Sequence, residues 1–387
     1  MYREWIRIPC AIVRGGTSKG VYVKEHDLPP AGPIRDKVIL RIMGSPDLRQ
    51  IDGLGGANSL TSKFCIIGPS LREDADVDYT FGQVSFAAPK IDWKGNCGNL
   101  SSAVGHYAVD EGFVKPVEPY TVVRIYNTNT DKMIYATVQV KDGRALSEGE
   151  YSIDGVPGTG SRILLEFDRP AGSVTKKLLP TGNVRDVVDL GPMGKYEISF
   201  VDAGNPTVFM RAEDLGLKGT ELPVDVENMP EVLKRIEAVR GEMATRVGIA
   251  SSPEDALKNS PATPKIGFVS KAQDYLNPDG KTIKAEDIDF VARLASMQKM
   301  HRAYMVTGGV ATGAASKVEG SVVWDVVKES SRNDDTLRIG HPYGVMDVKV
   351  TLDPTDKENP IQRVGVGRTA RRIMDGYAYV SKKTLEE

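Results

Sequence analysis

The spacing of its breakers limits what this chain can fold into more than any other feature. Short runs of alternating or continuously apolar residues recur at 5–13, 21–24, 63–67, 77–86, 121–127, 133–140, 196–201, 265–270, 346–352, 363–368 and 375–380, with clusters of Gly, Pro, Asn or Asp between them. That is the pattern of many short strands joined by turns. Helical spacing is confined to 35–43, 100–108, 231–247, 287–300 and a short turn at 253–259, where Ser252 is the N-cap and Pro253 the first helical residue. Residues 306–316 are so rich in Gly, Ala and Thr that they suit either a closely packed central helix or a backbone that approaches a ligand. At 387 residues the chain exceeds one ordinary core, and two domains are expected, 1–184 and 185–387, divided in the breaker-rich stretch 181–189. The closing strand is free to return to the first domain.

A formal net charge of −2 offers no general attraction to nucleic acid or to an anionic membrane surface, so any anion must be bound locally. The first residues lack the apolar run of a signal peptide, and no run is long enough to cross a bilayer, which gives the expectation of a cytoplasmic protein. Cys10, Cys65 and Cys97 are odd in number and contain no CxxC pair. His26, His106, His301 and His341 show neither HxxxH nor HExxH spacing. Neither a disulfide framework nor a metal site is indicated.

Chemistry concentrates at Gly95-Asn96-Cys97-Gly98-Asn99, a thiol between two turn-forming pairs just where the helical spacing begins. A thiolate there would sit at the positive end of a helix dipole among unpaired backbone N–H groups. The competing reading is a buried, inert cysteine, which suits Cys10 and Cys65 in their apolar runs better than Cys97. His106 is no partner for a nucleophilic thiol, because nine helical residues separate them by roughly 13 Å.

Two further loops carry polar groups. Arg14-Gly-Gly-Thr17-Ser18-Lys19-Gly20 interrupts a pair of strands and offers backbone N–H groups, hydroxyls and cations; it is either a carboxylate cradle or a hairpin turn with surface charges. Its residue order is not that of a P-loop. Asp52-Gly-Leu-Gly-Gly-Ala-Asn58-Ser-Leu-Thr-Ser62-Lys63 lacks the third glycine of a dinucleotide fingerprint but ends in a lysine at the edge of an apolar strand. Such a lysine is usually at the surface with its stem on apolar neighbours; partly buried beside another cation, it becomes a usable base. A cysteine–lysine acid–base pair fits these residues better than covalent catalysis.

Taken together with Asp92-Trp-Lys-Gly-Asn-Cys97-Gly-Asn-Leu, Pro180-Thr-Gly-Asn183 and Arg368-Thr-Ala-Arg-Arg-Ile-Met-Asp-Gly-Tyr377, these motifs resemble the PrpF family of methylaconitate and methylitaconate isomerases. The resemblance runs over essentially the whole chain. Arg49-Gln-Ile-Asp52, Tyr126-Asn-Thr-Asn-Thr and Arg338-Ile-Gly-His-Pro342 look closest to the 3-methylitaconate Δ-isomerase branch. It implies an α+β, diaminopimelate-epimerase-like fold: two similar domains, each a curled, mainly antiparallel sheet around a central helix, with the active site in the cleft between them. It also implies that Lys63 and Cys97 are the acid–base pair. The related epimerases take one cysteine from each domain, whereas residues 306–315 here contain none, which leaves lysine as the second group.

The implied reaction is a cofactor-independent 1,3-proton shift in a small unsaturated di- or tricarboxylate, with 3-methylitaconate/2,3-dimethylmaleate as the first expectation. Cis–trans isomerisation of 2-methylaconitate and tautomerisation of 4-oxalomesaconate would need the same loops. Removing a proton next to a carboxylate adds charge to an anion, so donors must meet that charge. Thr17, Ser18, Lys19, Asn58, Ser62, Asn96 and the Gly98 and Asn99 amides are the candidates, with Lys271 and Thr312 from the second domain. A non-catalytic carboxylate-binding module and an amino-acid racemase are the readings from other classes. No metal and no macromolecular partner is called for; a homo-oligomer is compatible with the sequence.

Overall fold

The computed structural model describes residues 4–386, and they divide into two compact units, 4–165 with 367–386, and Glu166–Val366. In the first unit the strands include β1 (Trp5–Gly15), β2 (Ser18–Lys24), β3 (Lys63–Pro69), β4 (Val77–Val84), β5 (Ile91–Asp92), β6 (Tyr120–Asn127) and β7 (Lys132–Lys141). β1 pairs antiparallel with β2, β3 with β4, β4 with β5 and β6 with β7; β2–β3 and β4–β6 are parallel. Two of its helices frame the sheet. Helix α1 (Pro33–Met43) lays Val38, Ile39, Ile42 and Met43 on an outer core with Val21, Val23, Phe64 and Ile66. Helix α2 (Gly98–Asp110) is buried along all but its last residue and packs inside the curve of the sheet. Its small residues permit this: a Cβ on Gly105 would lie 2.7 Å from Cβ of Ala136 on β7.

The second unit repeats the scheme with the helix Val306–Ala315, all ten residues of which are buried. Strands Lys195–Ala203, Asn205–Arg211 and Gly344–Leu352 pack around it. A Cβ on Gly308 would lie 2.2 Å from Leu294, and one on Gly313 2.6 Å from Val348, so the glycines admit the sheet. The outer helix Pro230–Arg246 covers a core with Phe200, Val208, Ile266 and Phe268. Among the described residues no helix is long and apolar enough to cross a membrane.

Two expectations change. The stretch 287–300 is strand rather than helix: Phe290–Ser296 and Lys299–Met300, turning at Met297 and Gln298 with φ of 55° and 57°. Residues 290–295 are buried on both faces, so the strand has no polar alternation to distinguish it from a buried helix. The chain also divides after Leu165 rather than at 184. Residues 172–178 are tied to the second unit through Asp202, whose carboxylate accepts hydrogen bonds from the Ser173 hydroxyl and from the amides of Val174 and Thr175 at 2.9 and 2.7 Å. The strand Ala370–Ser381 returns to the first unit and pairs with β1 from Trp5↔Ser381 to Gly15↔Ala370.

Candidate active site

Cys97 is the N-cap of α2, in extended conformation (φ −111°, ψ 96°), half-buried, its side chain making no capping hydrogen bond. The first helical hydrogen bond runs from Ser101 N to Cys97 O at 2.8 Å, so the Gly98 and Asn99 amides lie before the helix's own ladder. The Ser101 hydroxyl lies 3.0 Å from Asn96 Oδ1 and 3.1 Å from the Cys97 carbonyl, pinning the approach to the thiol. Further back, Asn129 pairs with both backbone groups of Phe81 and donates to Trp93 O at 2.7 Å. The Asn127-Thr-Asn-Thr turn thus anchors the segment that delivers Cys97.

The β1–β2 turn lies directly on the start of α2. Asn99 Nδ2 donates to Thr17 Oγ1 at 3.0 Å, and Thr17 N to Asn99 Oδ1 at 3.4 Å. A Cβ on Gly15 would stand 2.4 Å from Asn99 O, and Gly16 has φ +51° with Asn99 Oδ1 2.2 Å from where its Cβ would be. Only glycine allows that approach. Ser18 is buried, and Lys19 N donates to Leu60 O at 3.0 Å, joining this turn to the second loop. In that loop Asn58 is exposed and closes an Asx turn onto Leu60 N at 2.9 Å. Ser62 is fully buried: its hydroxyl donates to Val84 O at 2.8 Å and accepts from Gln50 Nε2 at 2.7 Å. Ser62 therefore builds the wall of the loop.

Lys63 opens β3 and is 7% exposed, its Nζ donating to Gln83 Oε1 at 2.7 Å and lying 5.0 Å from the centroid of the Phe81 ring. Two residues on, Cys65 points to the same face of the sheet. Its thiol lies 3.9 Å from Tyr79 Oη, and Tyr22, paired with Cys65 in the sheet, donates from Oη to Leu100 O at 2.6 Å. Burial pushes the Cys65 thiol far above its usual range; a charge on Cys97 adds to the rise, while the two tyrosine hydroxyls and Lys63 oppose it. Tyr22 and Tyr79 are likewise raised by burial and then by the neighbouring thiols. Cys65 thus stays protonated, within electrostatic reach of both Lys63 and Cys97. Burial also raises Cys10, which lies in the outer core.

His106 lies on α2 with Nε2 2.9 Å from Ser147 Oγ and Nδ1 3.3 Å from the Asp110 carboxylate. Burial depresses its basicity; Asp110 opposes the change, and Arg372 and Arg14 reinforce it. The folded imidazole therefore binds a proton less readily than the unfolded one. Its stabilising contribution is full above the unfolded value and is lost as pH falls from about 6.5 towards the lower folded value. Urea unfolding of His106→Gln should show a flatter loss of stability on acidification below about pH 6.5 than the parent chain. An unchanged pH slope would exclude His106 as a source of that loss.

In the second unit Lys271 is exposed at the end of the strand Lys265–Lys271. Thr312 is fully buried in the Val306–Ala315 helix, its hydroxyl donating to Gly308 O at 2.7 Å and pairing with Tyr304 Oη at 2.8 Å. Thr312 is a packing residue of that helix. Within the first unit, Thr17, Ser18, Lys19, Asn96, Cys97, Gly98 and Asn99 gather on the β1–β2 turn and the start of α2, with Lys63 and Asn58 from the adjoining loop and strand. Sequence reasoning missed Gln50, Gln83, Tyr22 and Asn129. Each is a polar residue inside a strand or turn whose partner is set by pairing across the sheet or by loop folding.

Residues 5–381 match the family model described as PrpF protein. A 3-methylitaconate isomerase of Eubacterium barkeri is 48% identical over 383 residues, which are 99% of each chain. The crystal structure of a methylitaconate-delta-isomerase is similar with a TM-score of 0.88 at 47% identity, over 99% of this chain and 98% of that one. A hydroxyproline epimerase from Agrobacterium vitis, 14% identical, shares the fold at a TM-score of 0.56 over 98% of this chain and 93% of its own. The fold is the diaminopimelate-epimerase-like one.

Proposed function

The chain belongs to the PrpF family, and from that premise we propose that it is a cofactor-independent isomerase that moves a double bond by a 1,3-proton shift in a small unsaturated polycarboxylate. The name of the 48% identical relative favours 3-methylitaconate as substrate, with 2,3-dimethylmaleate as product. The C–H bond beside one carboxylate breaks, its electron pair passes into a dienolate, and a proton is added at the former methylene carbon. A methyl group forms and the double bond moves inward, with no net redox change.

Lys63 and Cys97 exchange these protons with the substrate. The observation that carries this reading is the convergence of their two elements in one unit: a Cβ on Gly20 would lie 2.7 Å from the Leu100 side chain on α2 and 3.1 Å from the Lys63 carbonyl on β3. The dienolate charge is met by the Gly98 and Asn99 amides and the positive end of α2, with Thr17, Ser18, Lys19, Asn58 and Asn96 as carboxylate ligands.

The test is NMR in D₂O over a panel of itaconate, methylitaconate, aconitate, methylaconitate and oxalomesaconate. Methylitaconate is expected to take up deuterium at the former methylene carbon as the double bond moves. Turnover confined to methylaconitate would move the assignment to cis–trans isomerisation, and turnover confined to oxalomesaconate to tautomerisation. No deuterium uptake with any compound would overturn the proton-shift mechanism.

A further inference from the structure

Lys63 does not stand alone on its strand. Its Nζ donates to Gln83 Oε1 at 2.7 Å, and the other end of the same carboxamide, Nε2, donates to Ser62 O at 2.8 Å. Rotating the amide by 180° would set its NH₂ against the ammonium and its oxygen against a carbonyl, so the two contacts fix one orientation. The mount is rigid as well. Val84 N donates to that same Ser62 carbonyl at 3.1 Å, and the Ser62 hydroxyl is fixed by Val84 and Gln50. Register places Gln83 directly opposite Lys63 on β3 and Asp92 on β5, so the three form one row on one face.

We propose that Gln83 is a positioning residue for Lys63: it engages one N–H of the ammonium, fixes where Nζ stands, and leaves the remaining N–H groups to face the substrate. This assignment rests on the acid–base reading of Lys63. The titratable residues on its own and the adjoining elements are Cys65 on β3, Tyr22 and Lys19 on β2, Tyr79 on β4, Asp92 on β5, and Cys97 at the start of α2. Gln83 makes the direct hydrogen bond, so a change there acts on Lys63 before it acts on any of the others.

The experiment follows kcat and KM for methylitaconate against pH in Gln83→Leu, Gln83→Glu, Lys63→Gln and the Lys63→Gln/Gln83→Leu double variant. Gln83→Leu is expected to lower kcat by about tenfold or more, with KM changed by less than about threefold. The limb of the kcat profile that is missing in Lys63→Gln should move to lower pH in Gln83→Leu, where the acceptor is gone, and to higher pH in Gln83→Glu, where a carboxylate faces the ammonium. In the Lys63→Gln background, Gln83→Leu should cause no further loss. A purely structural glutamine would not move the limb in opposite directions. If Lys63→Gln is inactive but neither Gln83 variant moves the limb, the Gln83 proposal is overturned and the Lys63 reading stands; if Lys63→Gln retains turnover, both fall. Gln83→Glu is nearly isosteric and carries the test alone if Gln83→Leu does not fold.

Discussion

Cys97→Ser and Lys63→Gln are each expected to lower kcat by roughly 10²–10⁴-fold, the range of a positioned acid or base. Glutamine is the sharper replacement for Lys63, because it can keep a donor towards Gln83, whereas alanine would leave the half-buried Gln83 Oε1 without its Lys63 donor. Serine at 97 keeps the N-cap position in extended backbone and puts a hydroxyl in place of the thiol. The double variant should be little worse than either single one, since the two groups act on one proton shift. Deuterium exchange separates their roles. A variant lacking only the reprotonating group should still exchange the proton beside the carboxylate while failing to move the double bond. Wild-type turnover in either single variant would remove that residue from the mechanism.

Gly15→Ala is expected to lower kcat/KM by about 10²-fold, because displacing bound groups by about 1 Å is enough for such a loss. The new methyl group would stand 2.4 Å from Asn99 O and 3.1 Å from Leu100 Cα, both backbone atoms that cannot rotate away. The turn carrying Thr17, Ser18 and Lys19 must then lift off the first turn of α2, with a stability loss of about 1–3 kcal/mol. Gly16→Ala should differ in kind: its collision is with the Asn99 side chain, so Asn99→Ala relieves the contact, though the strain of φ +51° remains. Kinetics and denaturant unfolding of Gly15→Ala with and without Asn99→Ala settle the matter. Restoration of activity to Gly15→Ala by Asn99→Ala would contradict the backbone collision.

The local settings of two candidate residues were legible from residue type alone. Cys97 announces itself because small turn-forming residues flank a thiol where helical spacing starts, and the helix does begin at Gly98. Lys63 is conspicuous at the join of a glycine-rich loop and an apolar strand, and it does open β3. The roles of Ser62 and Thr312 were not legible. A hydroxyl beside a proposed catalytic residue looks like a ligand until its partners are known, and here those partners are Val84, Gln50, Gly308 and Tyr304. Asp202 shows the same limit in reverse, since nothing local to it reveals that residues 173–175 converge on its carboxylate and draw that stretch into the second unit.

What the sequence determined by itself is local: many short strands between breakers, a small-residue stretch at 306–316 suited to close packing, and a thiol at a helix start. These follow from backbone sterics and side-chain volume within a few residues. The tertiary structure alone decided that 290–296 is a strand, that Ala370–Ser381 returns to β1, and that Gln83 stands opposite Lys63. The physical reason is that a period of two tells which face a strand buries but not which strand lies beside it, and a shift of one residue in register would turn Gln83 to the other face. The partner of Lys63 is therefore a property of the paired sheet, although Lys63 itself was visible in the chain.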